Sequence, residues 1–284
     1  MSGLLLNLLT NPLALNSLPS KGRWKSRLTS KTLEKLEVPY KIVIEEQEYD
    51  NYAGVIDAKK ILILPFKNKG LYSARNWIMD HSIKNGARRH WQLDDNISGF
   101  SRLNRNLQVL VTSGTIFKVA EGFVDRYKNV AIAGFNYDFF VKAKNVWPAY
   151  KLNTRVYSCS LINNDISHRW RSLYNDDTDI CLRVLKDGYC TILFNAFTQE
   201  KAQTMTVSGG NTEELYSGNG RLKMAESLQK QHPDVATVVW KWNRWQHQVD
   251  YRRFKKNKLN KKGGVVFNDC VNNYGMVLKD ITKK

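Results

Sequence analysis

Hydrophobic and polar positions along the first half of the chain follow the pattern of an α/β fold. Short apolar runs predict strands over residues 13–18, 40–44, 61–65 and 90–93, and helical periodicity predicts helices over 29–36 and 71–83. Because strands that alternate with helices are typical of βαβ units, we predict a mostly parallel, Rossmann-like sheet flanked by helices.

The second half is less regular and ends in a basic aromatic region. Further strands are predicted over 130–134, 156–162 and 190–194, with helices over 179–186 and 221–231. The composition changes near residue 217, so we divide the chain into an α/β domain of residues 1–216 and a C-terminal region of residues 217–284 that packs on it. From Lys241 to Lys262 this region carries nine Lys or Arg residues and one acid.

The charge of the chain favours a polyanionic partner. The net charge is +18 over 284 residues, and Lys and Arg side chains bind nucleic-acid phosphates with release of counterions. Nucleic acid is therefore the first partner to consider, although a merely basic protein carries the same charge. The four cysteines form no CxxC pair and no apolar run is long enough to span a membrane, so we expect a cytoplasmic protein.

A cluster of polar residues at the end of one predicted strand indicates a metal site. Asp94, Asp95 and Asn96 come directly after the strand 90–93. Open α/β sheets bind ligands beyond the carboxyl ends of their strands, and Mg²⁺ or Mn²⁺ is commonly shared between carboxylates and a substrate's phosphates. An ordinary acidic turn has the same composition. We predict that these three residues hold a divalent cation.

A second acidic cluster, Asp176, Asp177 and Asp179, lies at the start of the predicted helix 179–186. One of these acids can cap the helix, because carboxylates accept hydrogen bonds from the N–H groups of the first turn. Three acids in four positions exceed that need, and their mutual repulsion raises the pKa of a carboxyl group toward that of a general base. We predict Asp177 as the base, with Asp176 beside it.

Several runs of residues occur in an order that resembles a known enzyme family. Three of them are Gly70-Leu71-Tyr72-Ser73-Ala74-Arg75-Asn76, Gln92-Leu93-Asp94-Asp95-Asn96, and Asp176-Asp177-Thr178-Asp179 with Arg183. This order resembles the GT-A glycosyltransferases, in which a GxxxARN helix precedes an LDDD-type metal motif and a later ED acid. Three more runs resemble the TET-associated glycosyltransferases, a group found in phages: Leu18-Pro19-Ser20-Lys21-Gly22-Arg23, Leu64-Pro65-Phe66-Lys67-Asn68-Lys69-Gly70 and Ser208-Gly209-Gly210-Asn211.

The resemblance implies a GT-A fold and a donor site for a nucleotide sugar such as a UDP-sugar. The implied donor-binding residues are Pro19, Ser20, Arg23, Glu46, Arg75, Asn76, Asp94, Gly209, Gly210 and Asn211. Asp177 then takes the proton of the acceptor hydroxyl in a metal-assisted reaction, with inversion as the simple outcome and retention as the alternative. The chain departs from the family at Asn96, where many members have an acid, and in having no histidine soon after Phe197 as a further metal ligand.

The basic aromatic tract is a candidate contact for DNA. Lys and Arg side chains can follow a phosphate backbone, and aromatic rings can stack on a flipped base. A solvated basic helix with core tryptophans is the alternative, chiefly for Trp240 and Trp245. We predict nucleic-acid contacts by Trp242, Arg244, Trp245, Arg252, Arg253, Lys255 and Lys256.

Together these features predict a phage glycosyltransferase that moves a sugar to a 5-hydroxymethylpyrimidine base of DNA, with 5-hydroxymethylcytosine as the first candidate. Three other hypotheses stay open from the sequence. They are a GT-A enzyme acting on a surface glycan or a lipid-linked acceptor, a nucleotidyltransferase, and a non-catalytic DNA-binding protein.

Overall fold

The computed structural model describes residues 15–142, 145–201 and 219–264. The strands of its central sheet are, in chain order, β1 (Leu15–Pro19), β2 (Tyr40–Ile44), β3 (Ile61–Ile63), β4 (Arg89–Leu93), β5 (Ile97–Asn104), β6 (Leu107–Leu110), β7 (Val130–Tyr137), β8 (Tyr150–Leu152), β9 (Cys159–Asn163) and β10 (Cys190–Lys201). The helices are α1 (Leu28–Lys35), α2 (Tyr49–Ala53), α3 (Leu71–Lys84), α4 (Thr115–Val124), α5 (Asp176–Lys186) and α6 (Gly220–Gln231). A separate hairpin consists of β11 (Ala236–Lys241) and β12 (Arg244–Val249).

The central sheet has the strand order β3-β2-β1-β4-β9-β7-β10-β5-β6, with β8 paired to β10. Strands β1 to β4, β6, β7 and β10 run in one direction, whereas β5, β8 and β9 run in the other. The four strands β3-β2-β1-β4 form an all-parallel half, so their carboxyl ends lie along one edge of the sheet. The predicted α/β class with a mostly parallel sheet is confirmed.

Helices cover both faces of the sheet, as buried parallel strands require. On one face, Leu33 of α1 and Phe117 of α4 pack against Trp91 of β4 and Phe135 of β7, and the rings of Trp91 and Phe117 lie 5.0 Å apart. On the other face, residues of α3 and α5 pack against Ile132 of β7. Successive side chains of a strand point to opposite faces of the sheet, and helices cover both faces. Strand β4 is therefore buried along its whole length.

The C-terminal region packs on α5. Leu182 and Leu185 of α5 form an apolar cluster with Leu228 of α6 and with Phe254, which follows the hairpin. The side-chain amide of Asn257 donates hydrogen bonds of 2.8 Å to the carbonyl oxygens of Leu185 and Tyr189. These contacts fix the segment after the hairpin to the body of the molecule.

Several elements differ from the sequence-based expectation. Helix α5 begins at Asp176, three residues earlier than predicted, so Asp176 and Asp177 lie in its first turn. Strand β10 continues to Lys201, seven residues beyond its predicted end, because it pairs with both β7 and β5. The first part of the basic aromatic tract, residues 241–249, belongs to the β11–β12 hairpin, and a short 3₁₀ helix, Tyr251–Phe254, follows it, so the alternative of one continuous basic helix is wrong. No sequence pattern predicted α4, β5, β6 and β8.

Candidate active site

Three carboxylates converge on one buried arginine at the carboxyl edge of the sheet. Nη2 of Arg75, on α3, lies 3.1 Å from Oδ1 of Asp94 and 3.5 Å from Oδ1 of Asp177, and its Nε lies 3.0 Å from Oδ2 of Asp176. The Arg75 side chain is 3% exposed, whereas the three carboxylates keep about a fifth of their surface open. The sequence-predicted metal motif and base motif are therefore one site.

Local structure explains how the two acidic motifs reach this arginine. The turn after β4 is held by Thr29 of α1, whose hydroxyl donates to the carbonyl oxygen of Asp94 at 2.6 Å and accepts from the N–H of Ile97 at 2.8 Å. Asn175 adopts a left-handed conformation with φ of 51°, and α5 begins at the next residue. The N-terminus of α5 carries the positive end of the helix dipole, which favours the ionised carboxylates of Asp176 and Asp177.

Lys201, at the end of β10, completes the site and was missed by sequence reasoning. Its Nζ lies 2.6 Å from Oδ2 of Asp94 and donates a hydrogen bond of 2.9 Å to the hydroxyl of Ser158. The predicted strand ended at Phe194, so no sequence pattern brought Lys201 to the edge of the sheet. The apolar residues Ala196 and Phe197, which follow the predicted end, were a signal that could have extended the strand.

The charges of the site shift its pKa values in different directions. Burial raises the pKa of both Asp176 and Asp177, and the nearby Asp94 carboxylate adds to the rise, while Arg75 opposes it. Burial also opposes ionisation of Asp94, yet Lys201 and Arg75 hold its pKa below the usual value. Asp94 is therefore a fixed anion, and the other two acids titrate closer to neutrality, as a general base requires.

Asp95, in the turn after β4, binds side chains of the loop that follows β1. It forms an ion pair with Arg23 and accepts a hydrogen bond of 2.7 Å from the hydroxyl of Ser20. The hydroxyls of Ser20 and Tyr52 are 2.6 Å apart, and the Tyr52 hydroxyl accepts from the N–H of Arg23 at 3.1 Å. The structure thus brings the predicted donor residues Ser20 and Arg23 to the acidic turn, directly after Pro19 at the end of β1.

The acidic turn as arranged does not fit a divalent cation. The oxygens of Asp94 are bound by Arg75 and Lys201, and those of Asp95 by Arg23 and Ser20. Asn96 offers one buried amide oxygen, which has no hydrogen-bond partner among the described residues. Across 15–142, 145–201 and 219–264, no group of three or more His, Cys, Asp or Glu side chains is placed to hold a metal ion. Of the expected metal ligands Asp94, Asp95 and Asn96, the two aspartates are therefore engaged by the protein's own side chains, and Asn96 alone keeps an oxygen without a partner among the described residues.

Other predicted donor residues lie farther from the acids. Glu46 is exposed and pairs with Lys67 at 2.7 Å, whereas its neighbour Glu45 is buried at the end of β2 and accepts from the N–H of Asn68 at 2.7 Å. The side-chain amide of Asn76 bonds both main-chain polar groups of Trp170 at 2.7 Å. Donor contacts by Glu46 and Asn76 stay predictions, and those by Gly209, Gly210 and Asn211 fall outside the described residues.

A cavity of about 430 Å³ lies between the sheet and the C-terminal hairpin. Its lining includes aromatic and basic groups from both sides: Phe140, Lys151, Arg155, Tyr157, His247 and Tyr251. The guanidinium of Arg155 stacks 4.7 Å from the centre of the Tyr157 ring. Burial, with a smaller contribution from Arg155, lowers the pKa of His247 to about 4, so the His247 side chain stays neutral near pH 7.

This cavity shares a wall with the acidic cluster. The rings of Tyr157 and Tyr137 are 4.5 Å apart, and the hydroxyl of Tyr137 lies 2.7 Å from that of Ser158. Ser158 is the residue that binds Lys201, and its N–H lies 3.4 Å from Oδ2 of Asp177. Two aromatic rings therefore separate a cavity of small-molecule size from the candidate base.

The predicted nucleic-acid-binding residues lie on the outer side of the hairpin and just after it. Trp242, at the tip, is 78% exposed, and Trp240 and Trp245 pair edge to face with ring centres 5.1 Å apart. The alternative of core tryptophans is wrong for these residues, which are each at least 40% exposed. Arg244, Arg253, Lys255 and Lys256 are exposed too, whereas the exposed Arg252 pairs with Asp250 at 2.7 Å.

No helix among the described residues is long and apolar enough to cross a bilayer.

Comparisons with known proteins bear on the family. A search of curated proteins found no match. Among solved structures, the fold is similar to a putative nucleotide-diphospho-sugar transferase from Desulfovibrio desulfuricans, with a TM-score of 0.39, 10% identity, and coverage of 64% of this chain and 79% of that chain. It is also similar to mannose-1-phosphate geranyltransferase from Thermus thermophilus, with a TM-score of 0.33, 10% identity, and coverage of 78% of this chain and 64% of that chain. Both TM-scores are low, and neither likeness carries an assignment.

The sequence profile of one family matches most of the described chain. It is that of the TET-associated glycosyltransferases, and it spans residues 17–210, more than half of the 284 residues. The match includes the loop after β1, the acidic turn, the first turn of α5 and Lys201. The chain belongs to the TET-associated glycosyltransferase family.

Proposed function

We propose that this glycosyltransferase moves a sugar from a nucleotide-sugar donor, such as a UDP-sugar, to the hydroxyl group of a 5-hydroxymethylpyrimidine base in phage DNA, with 5-hydroxymethylcytosine as the acceptor. One observation supports this proposal above the others. The acids grouped around Arg75 share a wall with a cavity that the C-terminal hairpin closes on its opposite side, and this hairpin carries exposed tryptophans.

The donor is expected at the carboxyl edge of the parallel strands, where open α/β sheets bind ligands. Arg23, Arg75 and Lys201 are cations at this edge, and a nucleoside diphosphate carries the opposite charge. Hydrogen bonds from such groups strengthen as the sugar leaves, because negative charge then gathers on the diphosphate oxygen. Because the acidic turn does not fit a divalent cation, the proposed reaction relies on these side chains for its positive charge.

Asp177 is the proposed base. Its carboxylate takes the proton of the acceptor hydroxyl while the oxygen of that hydroxyl bonds to the anomeric carbon of the sugar. The bond between that carbon and the diphosphate breaks on the opposite face, which gives inversion. Asp176 lies nearer to Arg75 and acts on it electrostatically, so the two acids have separate roles.

The cavity is proposed to hold the ring of the target base, with its hydroxymethyl group directed past Tyr137 and Tyr157 toward Asp177. A base in a duplex must leave the stack to reach an enzyme's reacting groups, and aromatic side chains bind the flipped base by stacking. Tyr157 and Tyr251 supply rings inside the cavity, and Arg155 supplies a cation. Outside it, Trp242 and the basic residues after the hairpin are proposed to contact the DNA backbone.

The test offers the purified protein DNA that contains 5-hydroxymethylcytosine, together with a panel of nucleotide sugars, and measures the mass of the bases after digestion. Transfer adds one sugar to the modified base and none to DNA with unmodified cytosine. Absence of transfer with every donor, in both single-stranded and duplex DNA, contradicts the proposal. Transfer to a glycan or to a lipid-linked acceptor instead supports the rival acceptor class.

A further inference from the structure

We infer that the ammonium group of Lys201 takes the place of a divalent cation beside the leaving diphosphate, so that the enzyme works without a metal. This inference rests on the proposed function, because it assigns a role in sugar transfer to a residue of the same site. It differs from the expectation that Asp94, Asp95 and Asn96 bind Mg²⁺ or Mn²⁺.

The position of the Lys201 ammonium is fixed by three neighbours. Nζ lies 2.6 Å from Oδ2 of Asp94, 2.9 Å from the hydroxyl of Ser158 and 5.9 Å from the centre of the Tyr137 ring. The side chain is 19% exposed, so it is held in place and not free in solvent. An ammonium has three N–H donors, and two of them bind Asp94 and Ser158, so within the part of the chain that the structure describes one is left for an oxygen of a ligand.

A metal ion at the same place would compete with Lys201. Mg²⁺ binds carboxylate oxygens at about 2.0–2.1 Å, and Nζ already lies 2.6 Å from Oδ2 of Asp94. Two cations that share one oxygen repel each other strongly in a buried site. The other oxygen of Asp94 faces Arg75 at 3.1 Å, so a metal would meet a cation on that side too.

The remaining acids do not open a second place for a metal. Both oxygens of Asp95 are bound, by Arg23 and by Ser20. Asp176 and Asp177 lie against Arg75 at 3.0 and 3.5 Å. Three cations of the protein, Arg23, Arg75 and Lys201, thus already lie against the four carboxylates, as expected where fixed side chains supply the positive charge.

The chemistry of the step balances without a metal. The bond between the anomeric carbon and the diphosphate oxygen breaks, and its electron pair stays on that oxygen. The third N–H of Lys201 donates a hydrogen bond to the oxygen, and the ammonium keeps its proton. The acceptor oxygen bonds to the anomeric carbon, and its proton goes to Asp177. No oxidant or reductant takes part.

The test compares four forms of the full-length protein in EDTA and in Mn²⁺: the wild type, Lys201→Ala, Lys201→Arg and Lys118→Ala. Lys118 is an exposed lysine of α4 and serves as a matched control for the loss of one charge. Transfer to 5-hydroxymethylcytosine DNA and binding of nucleoside diphosphates by calorimetry are measured for each form. Circular dichroism and the thermal unfolding midpoint show whether each variant folds.

We expect the wild type to transfer sugar and to bind its nucleoside diphosphate equally well in EDTA and in Mn²⁺. Lys201→Ala lowers transfer about 100-fold, as loss of a group that stabilises transition-state charge does. It also weakens nucleoside-diphosphate binding in EDTA about tenfold. Lys201→Arg keeps the charge and recovers part of both, and Lys118→Ala matches the wild type.

Two results overturn the inference. One is a wild type that loses nucleoside-diphosphate binding or transfer in EDTA and regains it with Mn²⁺. The other is a folded Lys201→Ala variant that keeps full binding and transfer in EDTA. Metal-free nucleoside-diphosphate binding that depends on Lys201, without transfer to any DNA, contradicts the proposed acceptor and leaves the role of Lys201 supported.

Discussion

Asp176 and Asp177 are neighbours in the chain that differ in how closely cations hold them. Oδ2 of Asp176 lies 3.0 Å from Nε of Arg75, whereas Asp177 lies 3.5 Å from Nη2 of Arg75 and 3.4 Å from the N–H of Ser158. A base needs an oxygen that can accept a proton, so the more loosely held Asp177 suits that role. Asp176 makes the closer ion pair with Arg75, and because neither of these two atoms has a hydrogen-bond partner among the described residues, its effect on Arg75 is electrostatic.

Asp177→Asn is expected to lower the rate of sugar transfer by at least about 100-fold, because an amide cannot take the acceptor's proton. Donor binding, measured by calorimetry, changes little, since the amide keeps the shape of the carboxylate. Asp80→Asn, at an exposed acid of α3, is the control and leaves the rate unchanged. Full activity in Asp177→Asn shows that another group is the base.

The rate of sugar transfer is expected to fall as the pH decreases. This loss is expected at a higher pH than if the base were an aspartate with an ordinary pKa. Burial raises the pKa of Asp177, Arg75 lowers it, and Asp94 raises it again, with a net rise. The protonated form cannot act as a base, so activity is lost as the pH falls through this raised pKa. The measurement is kcat/KM against pH. A midpoint at or below about 4, the value of an unperturbed aspartate, contradicts the assignment.

At the scale of elements, α5 links the acidic cluster to the C-terminal region. Asp179, in its first turn, is buried and lies 2.8 Å from Nε2 of His232, just after α6. It also pairs with Arg171 at 3.0 Å and with Arg183 at 3.4 Å. One carboxylate therefore joins α5, the segment before it and the end of α6. Asp179, one of the three acids that could have capped the helix, instead links these elements.

Asp179→Asn is expected to lower the free energy of unfolding by about 2 kcal/mol, which is the linkage equivalent of its shifted pKa. Burial alone would raise that pKa, but His232, Arg171 and Arg183 lower it to about 2. The stabilisation is complete above the unfolded pKa of about 3.9 and is lost as the pH falls toward 2. Urea unfolding at pH 7 and pH 3 measures both effects.

The control for this variant is Asp187→Asn. Asp187 pairs with His168 at 2.6 Å, but its side chain is 48% exposed, and exposed pairs contribute about 0–1 kcal/mol. If the two substitutions lower the free energy of unfolding equally at pH 7, Asp179 does not stabilise the contact between α5 and the C-terminal region more than an exposed ion pair would.

For the whole molecule, the net charge of +18 is divided between two kinds of position. Part of the positive charge faces the acids of the active site, as Arg75 and Lys201 do, and is compensated there. Arg253, Lys255 and Lys256, which follow the hairpin, are instead exposed to solvent. This second group is the one that a polyanion can reach.

Replacing Arg253, Lys255 and Lys256 together by Ala is expected to weaken the binding of DNA, whatever the base sequence of that DNA. Each lost phosphate contact reduces the slope of log K against log salt by about 0.9, so the slope becomes shallower by about 2 to 3. Fluorescence anisotropy across a salt series measures it. The control replaces Lys35, Lys84 and Lys118, which are exposed on α1, α3 and α4, and removes the same charge. Equal slopes in the two triple variants contradict a dedicated contact.

The sequence predicted those parts of the site that lie within one element and its adjoining turn. Asp94 follows a short buried strand and Asp177 opens a helix, and both signals are local. The place of Lys201 in the site was not predicted, because the length of β10 depends on its pairing with β7 and β5, which are distant in the chain. The sequence also did not predict that Glu45 is buried and Glu46 exposed, because packing around the end of β2 decides which of them faces inward.

The turn between β11 and β12 contains residues in a backbone conformation that destabilises the fold. This predicts which residues different screens would enrich at position 242. Trp242 and Asn243 both have positive φ, of 52° and 57°, as a two-residue hairpin turn requires, and glycine or asparagine suits these positions better than tryptophan. A left-handed residue other than glycine costs about 1–2 kcal/mol. A library of position 242 screened for thermal stability should therefore enrich glycine or asparagine, whereas a screen for base modification should retain an aromatic ring. The two screens would diverge at this residue, which makes position 242 a marker of what the molecule has been selected to do.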